Sequence, residues 1–466
     1  MGTVHAKANQ HDIGDSGGGL FVFEEPVEMG EEPIPKPTIK LDGVRARVDR
    51  VHVDGLNRTK DDIIKNTIDD LFHATDFEDV IVRAHKVRRA LDSMGCFRDI
   101  GVFIDVSSGP GSTPEGLEVT FQVKELSRVI GGINTTVSEN EGNLVLGVKM
   151  PNIAGRGEKL QAEYSMGYRS TSNFNVTATK PYPHKPLVPI VSASVYQQTH
   201  EYPWSGYRLL DRGLLMDLAF KSSPTTKHNL QWEGLVRETA ALSKTTSFKV
   251  RESSGPQMKS ILRHIVTVDH RDDAIFPSQG SWVQFSSELA GLGGGVAHLK
   301  TELQAQQNYE LIEDIVLQLA GAAGVLHDMF GTEIPDHFFL GGPTTLRGFQ
   351  QRGVGPHSDG QATGGKVYWA AGAHVYAPLP FLRNKNGISS LFRSHFFVNA
   401  GCLAAPDNGL TNWEWANSAR VSCGAGVALR LGSVARLELN YCAPLKARTN
   451  DCTAHGLQFG LGVHFL

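Results

Sequence analysis

"NFNVTATK", residues 173–180, alternates apolar and polar residues without a break. Phe174, Val176 and Ala178 fall on one side of an extended chain, and Asn175, Thr177 and Thr179 on the other, because strand side chains alternate with period two. The pattern spreads outward from there. "VSASV" continues it with Val191, Ala193 and Val195. "NLQWEG" sets Leu230 and Trp232 against Gln231 and Glu233, and "ARLELNY" sets Leu437, Leu439 and Tyr441 against Arg436, Glu438 and Asn440. "VSCGAGVALR" sets Val421, Ala425, Val427 and Leu429 against Ser422, Gly424, Gly426 and Arg430. From about residue 126 to the end there is hardly a helical stripe.

Alternation alone fits a soluble sandwich as well as a membrane barrel. Three features favour the barrel. The segments run about ten residues, the length a tilted strand needs to cross a bilayer. The polar face carries bulky charged residues, as a wet lumen allows. About sixteen segments can be counted, with connections alternating in length as in outer-membrane barrels. The gaps 199–209, 239–257, 329–365, 405–417 and 443–453 follow odd-numbered strands, and tight turns such as 312–314 and 432–433 follow even-numbered ones. The stretch 379–392 is an exception. An even count brings both ends of an antiparallel barrel to one side, so the expectation is a mainly β fold with a 16-stranded antiparallel transmembrane barrel over 126–466. Aromatics toward strand ends (Tyr164, Tyr168, Tyr196, Trp204, Tyr368, Trp369) suit interfacial girdles, but they are common in any β protein.

The 329–365 gap holds "GGPTTLRGFQQRGVGP", Gly341 to Pro356. Structureless loops of such length are uncommon and usually functional or disordered. Two placements are open. Outside in water, Arg347 is an ordinary surface charge. Folded into the lumen, the glycines allow close backbone packing, Phe349 packs on the inner wall, and the Arg347 guanidinium grips a lumen partner with its planar fork. The second placement makes Leu346, Arg347, Gly348 and Phe349 a latch.

Before the barrel, residues 46–125 change character. "RVDRVHVDGL" alternates Val48, Val51 and Val53. Ile63, Ile64, Thr67, Ile68 and Leu71 make one helical stripe, and Phe77, Val80, Ile81, Ala84, Val87, Leu91 and Met94 another. Thr75 and Glu78 have capping-box spacing, and Gly95 supplies a stop. Strands at 100–106 and 117–123 complete a small α+β domain of order β-α-α-β-β. Residues 1–45 are acidic and rich in Gly and Pro, the composition of a disordered tail.

Composition sets the bounds. Glycine numbers 50 of 466 residues and the net charge is −4, so no nucleic-acid surface is expected. The five cysteines include no CxxC pair, which argues against a disulfide framework or a zinc site. No apolar run is long enough for a transmembrane helix. The N-terminus shows neither a secretory signal nor an Arg-rich amphipathic transit peptide.

Enzymatic chemistry finds no home. His270-Arg271-Asp272 matches a kinase tripeptide, but Pro277 stands where the metal-binding Asn belongs and strands flank it. Asp269, Asp272 and Asp273 beside His270 read as a solvated hairpin turn, with a cation site as the weaker reading. "GLGGG" at 291–295 lacks phosphate-loop spacing. The expectation is therefore a non-enzyme with no catalytic residues, no metal and no cofactor.

Several motifs in order carry a resemblance. Thr267, Asp269, Arg271, Asp272, Pro277 and Gly280 match one hairpin motif, Leu346 to Phe349 a loop motif, and Phe397, Asn399 and Gly401 a late strand motif. The stretch "GAGVALRLGSVARLELNYCAPL" matches the penultimate strands. On these, residues 46–466 resemble the POTRA-plus-barrel superfamily of outer-membrane insertases. Within it they resemble the branch forming the core barrel of the mitochondrial sorting and assembly machinery. The resemblance implies that residues 46–125 are one POTRA-like repeat, and that Arg347 pairs with the position of Asn399, where the family usually has an acid; because Asn supplies no charge, either the latch is weaker here or another acid serves. It implies a lateral gate between the first strand, about 126–138, and the last, about 454–466. Gly131 and Gly132 on one side, and Gly456, Gly460 and Gly462 on the other, should weaken pairing there. Gln458, Gly460, Val463 and Phe465 resemble the last-strand signal by which precursors are recognised.

The implied function is insertion of β-barrel precursors into the mitochondrial outer membrane, with the POTRA-like domain in the intermembrane space. One repeat and no signal sequence favour that membrane over a bacterial one. The implied partners are precursors, lipid, peripheral metaxin-like subunits and an inner-membrane organising complex. A passive pore, a single-partner translocation channel and a soluble β-rich protein remain as alternatives.

Overall fold

The computed structural model describes residues 44–466 except 138–141, 169–170, 184, 186, 313, 380–390, 406–417 and 433–434. The proposed N-terminal tail, all but its last two residues, lies outside the described residues, as do parts of the turns at 312–314 and 432–433 and most of the stretch 379–392.

The first sheet has the order β1-β3-β2, built from β1 (Arg47–Asp54), β2 (Phe97–Val106) and β3 (Gly116–Glu125), with β1 parallel to β3. Helices α1 (Asp61–Ile68) and α2 (Phe77–Ser93) lie between β1 and β2 in the chain. Their stripes form the core: Ile63, Ile64, Leu71, Val80, Ala84, Val87, Leu91 and Met94 are buried against Val119 and Phe121. The capping box does not form. Asp76, not Thr75, is the N-cap of α2, and its side chain makes no cap bond. The chain enters the helix instead through Phe77 N–H, which donates to the Val44 carbonyl. Gly95 at φ +58° ends the helix as expected.

One carboxylate orders the turn through which this small domain meets the barrel. Glu125 accepts from the N–H groups of Asn57, Arg58 and Thr59, the Thr59 hydroxyl and the Arg58 guanidinium. Arg58 goes on to the carbonyls of Leu126 and Pro151, and Arg156 reaches back to Asp62 at 2.6 Å. Burial pushes the Glu125 carboxyl up, but the hydrogen bonds outweigh it and hold it at about 2.

The second sheet has sixteen strands, consecutive neighbours antiparallel. They begin with β4 (Ile130–Val137), β5 (Gly142–Pro151), β6 (Lys159–Gly167), β7 (Ser172–Pro181) and β8 (Ile190–Tyr202). There follow β9 (Tyr207–Lys221), β10 (Thr226–Ala241), β11 (Gly255–Asp269), β12 (Gly280–Gly294), β13 (Ala297–Ile312) and β14 (Ile315–Phe330). The hairpin β15 (His357–Ser358) and β16 (Gln361–Ala362) belongs to the long loop. The sheet resumes with β17 (Val367–Pro378), β18 (Phe392–Ala404), β19 (Arg420–Leu431), β20 (Ala435–Lys446) and β21 (Gly456–Gly462).

Which side of the sheet is apolar separates barrel from sandwich. Leu144, Leu146, Val148, Val195, Leu439, Tyr441, Leu457 and Phe459 are exposed. Gln306, Asn308, Gln318, His374, His395, Glu438 and Asn440 are buried. A soluble sandwich buries the apolar face; a membrane barrel turns it to lipid and keeps the polar face inside.

The loop-length rule holds only in part. The expected long gap 199–209 is a link of four residues, Pro203 to Gly206, because β8 and β9 run on almost to meet. The turn after β11 is long, and it folds inward. Phe276 packs with Tyr376 and Ala428, and Asp273 meets Arg430 at 2.7 Å. The hairpin acids fasten this turn: Asp269 pairs with Arg271, and Asp272 accepts from Ser278 N–H.

The two ends of the sheet are β4 and β21. Among the described residues no backbone ladder joins them. Both are shorter than expected, 8 and 7 residues.

Candidate functional site: the lumenal loop and the last strand

The loop between β14 and β17 folds inward. Phe338, Leu340, Leu346, Phe349 and Val354 form one buried cluster with Ala322 and Leu326 on β14, Tyr368 and Ala370 on β17 and Leu403 on β18. Leu346, Arg347 and Phe349 are fully buried. Gly348 sits at φ +83°, and a Cβ there would stand 2.9 Å from the Ser422 side chain. Glycine is therefore required for the backbone to lie on the wall.

The arginine grips an acid, and that acid is Glu438 rather than the residue at position 399. Its Nε and Nη2 donate to Glu438 Oε2 at 3.2 and 2.7 Å, and Nη1 donates to the Leu466 carbonyl at 2.5 Å. The guanidinium lies between two rings, with its carbon 5.1 Å from the Phe397 centroid and 5.3 Å from that of Phe465. Asn399 is not the partner. Its amide donates to the Leu466 carbonyl at 2.9 Å. The reason is charge: a buried guanidinium needs a carboxylate, and a neutral amide cannot supply one. Gly401 lies under Leu340 rather than under the arginine.

Glu438 holds more than the loop. Arg436 Nε lies 2.9 Å from Oε1, the Tyr376 hydroxyl donates to Oε1, and the Asn440 amide donates to Oε2. The carboxylate is thus balanced by two arginines inside a wall facing lipid on its other side.

Two further anchors escaped the sequence reading. Arg352, at φ +57°, is sandwiched 3.9 Å from both the Tyr202 and Phe339 centroids and donates to Ser205 Oγ and the Tyr207 hydroxyl. Asp336 pairs with Lys259 and, at 3.0 Å, with Arg237, while its carbonyl accepts from Lys300 at 2.9 Å. Lys259 and Arg237 hold the Asp336 carboxyl below its ordinary range against the upward push of burial. Burial and the neighbouring Asp336 push Glu333 up to about 7. A signal existed: charged residues inside glycine-rich, apolar loop sequence are costly unless paired. The hydrogen-bonding and ionic partners, 36 to 147 residues away, gave none.

The loop also holds the chain that leads into the last strand. Gly348 and Gly353 carbonyls accept from Ala454 and Cys452, and Gln350 N–H donates to the Cys452 carbonyl. The Gln458 side chain accepts from Gly348 N–H at 2.8 Å and donates to the Phe349 carbonyl at 2.9 Å.

The last-strand pattern needs correction at its end. The strand stops at Gly462, so Val463 and Phe465 do not extend it. The chain turns inward, where Phe465 is buried 4.5 Å (centroid) from the Arg436 guanidinium and His464 stacks on Trp282 at 4.5 Å. Of the five glycines at the two edges, Gly131, Gly132 and Gly456 border open space, whereas Gly460 and Gly462 lie under Phe465.

Residues 152–465 match the model of the Omp85 superfamily domain. The chain is 42% identical to human "Sorting and assembly machinery component 50 homolog" over the full length of both. It is 36% identical to a Drosophila melanogaster SAM50-like protein, over 91% of this chain and 96% of the other. In fold it is similar to BamA from Haemophilus ducreyi lacking POTRA domains 1–3, with a TM-score of 0.71 at 16% identity, over 90% of this chain and 84% of that one. The chain belongs to the Omp85 superfamily and, within it, to the family of sorting and assembly machinery component 50.

Proposed function

We propose that this chain is a β-barrel insertase of the mitochondrial outer membrane, working through a lateral gate between β4 and β21. One observation carries the reading: among the described residues, the sheet ends in two edges with no ladder between them. In hydrocarbon an unpaired N–H or C=O costs several kcal/mol, so a precursor strand that adds to such an edge by β-augmentation satisfies both chains. The gate edges are the shortest strands of the barrel and carry the glycines Gly131, Gly132, Gly456, Gly460 and Gly462. Little pairing has to be given up there when a strand enters. Leu346 to Phe349, pinned through Arg347 to Glu438, keep the wall beside the gate rigid. The mechanism is physical and forms no covalent bond.

The resemblance of the small domain to a POTRA repeat supports placing it in the intermembrane space, with contact there to an inner-membrane organising complex. The names of the relatives support membership of a sorting and assembly machinery with β-barrel substrates and peripheral metaxin-like subunits. A passive pore has no use for a loop fastened across its lumen by Arg347, Arg352 and Asp336.

Depletion tests the reading. Mitochondria lacking this chain are given labelled porin precursor. Assembled porin is expected to fall while early matrix import holds. Normal porin assembly would sink the insertase reading.

A further inference from the structure

The lipid-facing side of the wall carries a line of polar side chains across β9, β10 and β11. On β10 the exposed apolar residues Leu230 and Trp232 mark the face toward lipid, as Leu262 does on β11. His228 shares that face with Leu230, and His264 with Leu262, because strand side chains alternate. Register sets His264 opposite Leu230 and His228 opposite Phe220. The three rings stack in a row: Phe220 on His228 with centroids 5.0 Å apart, and His228 on His264 at 5.6 Å. Hydrogen bonds run along the same row. Ser222 Oγ meets His228 Nε2 at 3.0 Å, and His228 Nδ1 meets His264 Nε2 at 3.3 Å. Ionisable side chains at membrane depth almost always face a protein interior or a wet cavity, and they mark function. These two face outward.

A count of hydrogens shows what the line lacks. Each neutral imidazole has one N–H and one bare nitrogen, and the hydroxyl can give one hydrogen. If Ser222 donates to His228 and His228 to His264, the N–H of His264 Nδ1 is left over. If the bonds run the other way, the Ser222 hydroxyl is left over. Either direction leaves a donor at one end, and hydrocarbon offers no acceptor. Among the described residues no protein group meets His264 Nδ1. The line begins at the turn between β9 and β10, on the side of the barrel where the chain enters β4. There Lys221 and Lys227 stand directly opposite each other, both exposed. Like charges in register destabilise a hairpin, and neither lysine meets an acid among the described residues. Their stems start on the lumenal face, but at strand ends long cationic side chains reach round to the membrane boundary. A surplus donor and two uncompensated cations beside lipid suit an anion with several acceptor oxygens, anchored in the bilayer.

We propose that the ends of β9, β10 and β11 seat the phosphate of an anionic phospholipid. A phosphate oxygen takes the surplus hydrogen of the Ser222–His228–His264 line, and Lys221 and Lys227 balance the charge. The acyl chains lie along Leu230, Trp232 and Leu262. These strands stand in the middle of the sixteen-strand order, well away from both β4 and β21. The lipid therefore holds the closed wall and leaves the edges free. The inference rests on the barrel fold and is independent of the insertase reading.

Native mass spectrometry of the full-length chain in detergent, titrated with phosphatidylglycerol, phosphatidylcholine or diacylglycerol of matched acyl chains, tests this. Phosphatidylglycerol is expected to bind about tenfold more tightly than phosphatidylcholine. His264→Leu, which suits the lipid face, is expected to weaken phosphatidylglycerol binding about tenfold, the worth of one charge-assisted hydrogen bond. Diacylglycerol, which has no phosphate, should bind that variant and the unaltered chain alike. Lys221→Gln/Lys227→Gln is expected to erase the preference for phosphatidylglycerol over phosphatidylcholine. Its turn is exposed, so it reports even if His264→Leu yields no heat-modifiable barrel. Excess inorganic phosphate is expected to leave the lipid bound. Phosphatidylglycerol binding unchanged in both variants overturns the inference, and so does an equal loss of diacylglycerol binding. Release by inorganic phosphate overturns it too, by making this a site for the free anion. A protein that co-purifies with the unaltered chain and is lost from His264→Leu, with lipid binding unchanged, would assign the patch to a protein partner instead.

Discussion

The wall from β9 to β14 and the two edges β4 and β21 follow the same alternation, yet they are opposite in construction. The wall strands have 15 or 16 residues and are paired on both sides. The edge strands have 8 and 7 and, among the described residues, are paired on one. The loop is fastened to both regions, by Arg352 and Asp336 on the side of β8 to β13 and by Arg347 beside β21. Rigidity is thus concentrated away from the edges, and the loop carries it across the lumen.

The largest effect is expected at Glu438. Replacing it with Leu leaves Arg347 and Arg436 buried without their carboxylate, a loss of about 3–5 kcal/mol. The expected outcome is little heat-modifiable barrel after reconstitution. The double variant Arg347→Met/Glu438→Gln should recover part of it.

Arg347→Ala comes next and sharpens the contrast. Glu438 keeps Arg436 at 2.9 Å, so no charge is stranded. Barrel abundance should fall modestly and porin assembly by about tenfold, from the loss of charged hydrogen bonds worth about 1.5–3 kcal/mol. Equal losses of both would make the residue structural only.

Cysteine pairs scanned between the edges of β4 and β21 test whether the gate opens. A confirmed cross-link is expected to block client release while the barrel still migrates as folded. The same cross-link between β10 and β11 should have no effect.

Arg352→Ala removes two ring contacts, each worth about 0.5–2 kcal/mol. It is expected to expose the loop near Gln351 to protease with a smaller loss of assembly than Arg347→Ala.

The smallest effect is a pH dependence at Glu333. Its folded pKa, about 7, lies above the ordinary carboxylate value of 4.5, so the folded chain binds more protons between those limits. Stability from this group is full below about pH 4.5 and is lost as pH rises through 7. Glu333→Gln should raise the melting temperature by about 1–2 °C at pH 8 and leave it unchanged at pH 4.5. A gain of the same size at both pH values would contradict the assignment.

What is local and periodic was legible in the order of residues alone. The two-residue period of segments such as 173–180 fixed strands and faces, because each side chain's direction depends only on its neighbours along the chain. The helical stripes over 63–71 and 77–94 did the same for the small domain. Glycine and proline marked the loop and its need for close packing. Strand ends were less legible, since β8 and β9 extend to Tyr202 and Tyr207 through residues that read as a connection. Which distant side chains pair emerges only in the folded barrel. Arg347 and Glu438 are 91 residues apart, and nothing in the spacing singles out Glu438 over other acids. Asn399 was the expected partner by motif position, and the charge it lacks is the physical reason the guanidinium turned elsewhere. Likewise Val463 and Phe465 read as strand by alternation. They left it because a bend after Gly462 let Phe465 cover two buried guanidinium groups, a contact that exists only once the barrel has brought Arg347 and Arg436 together.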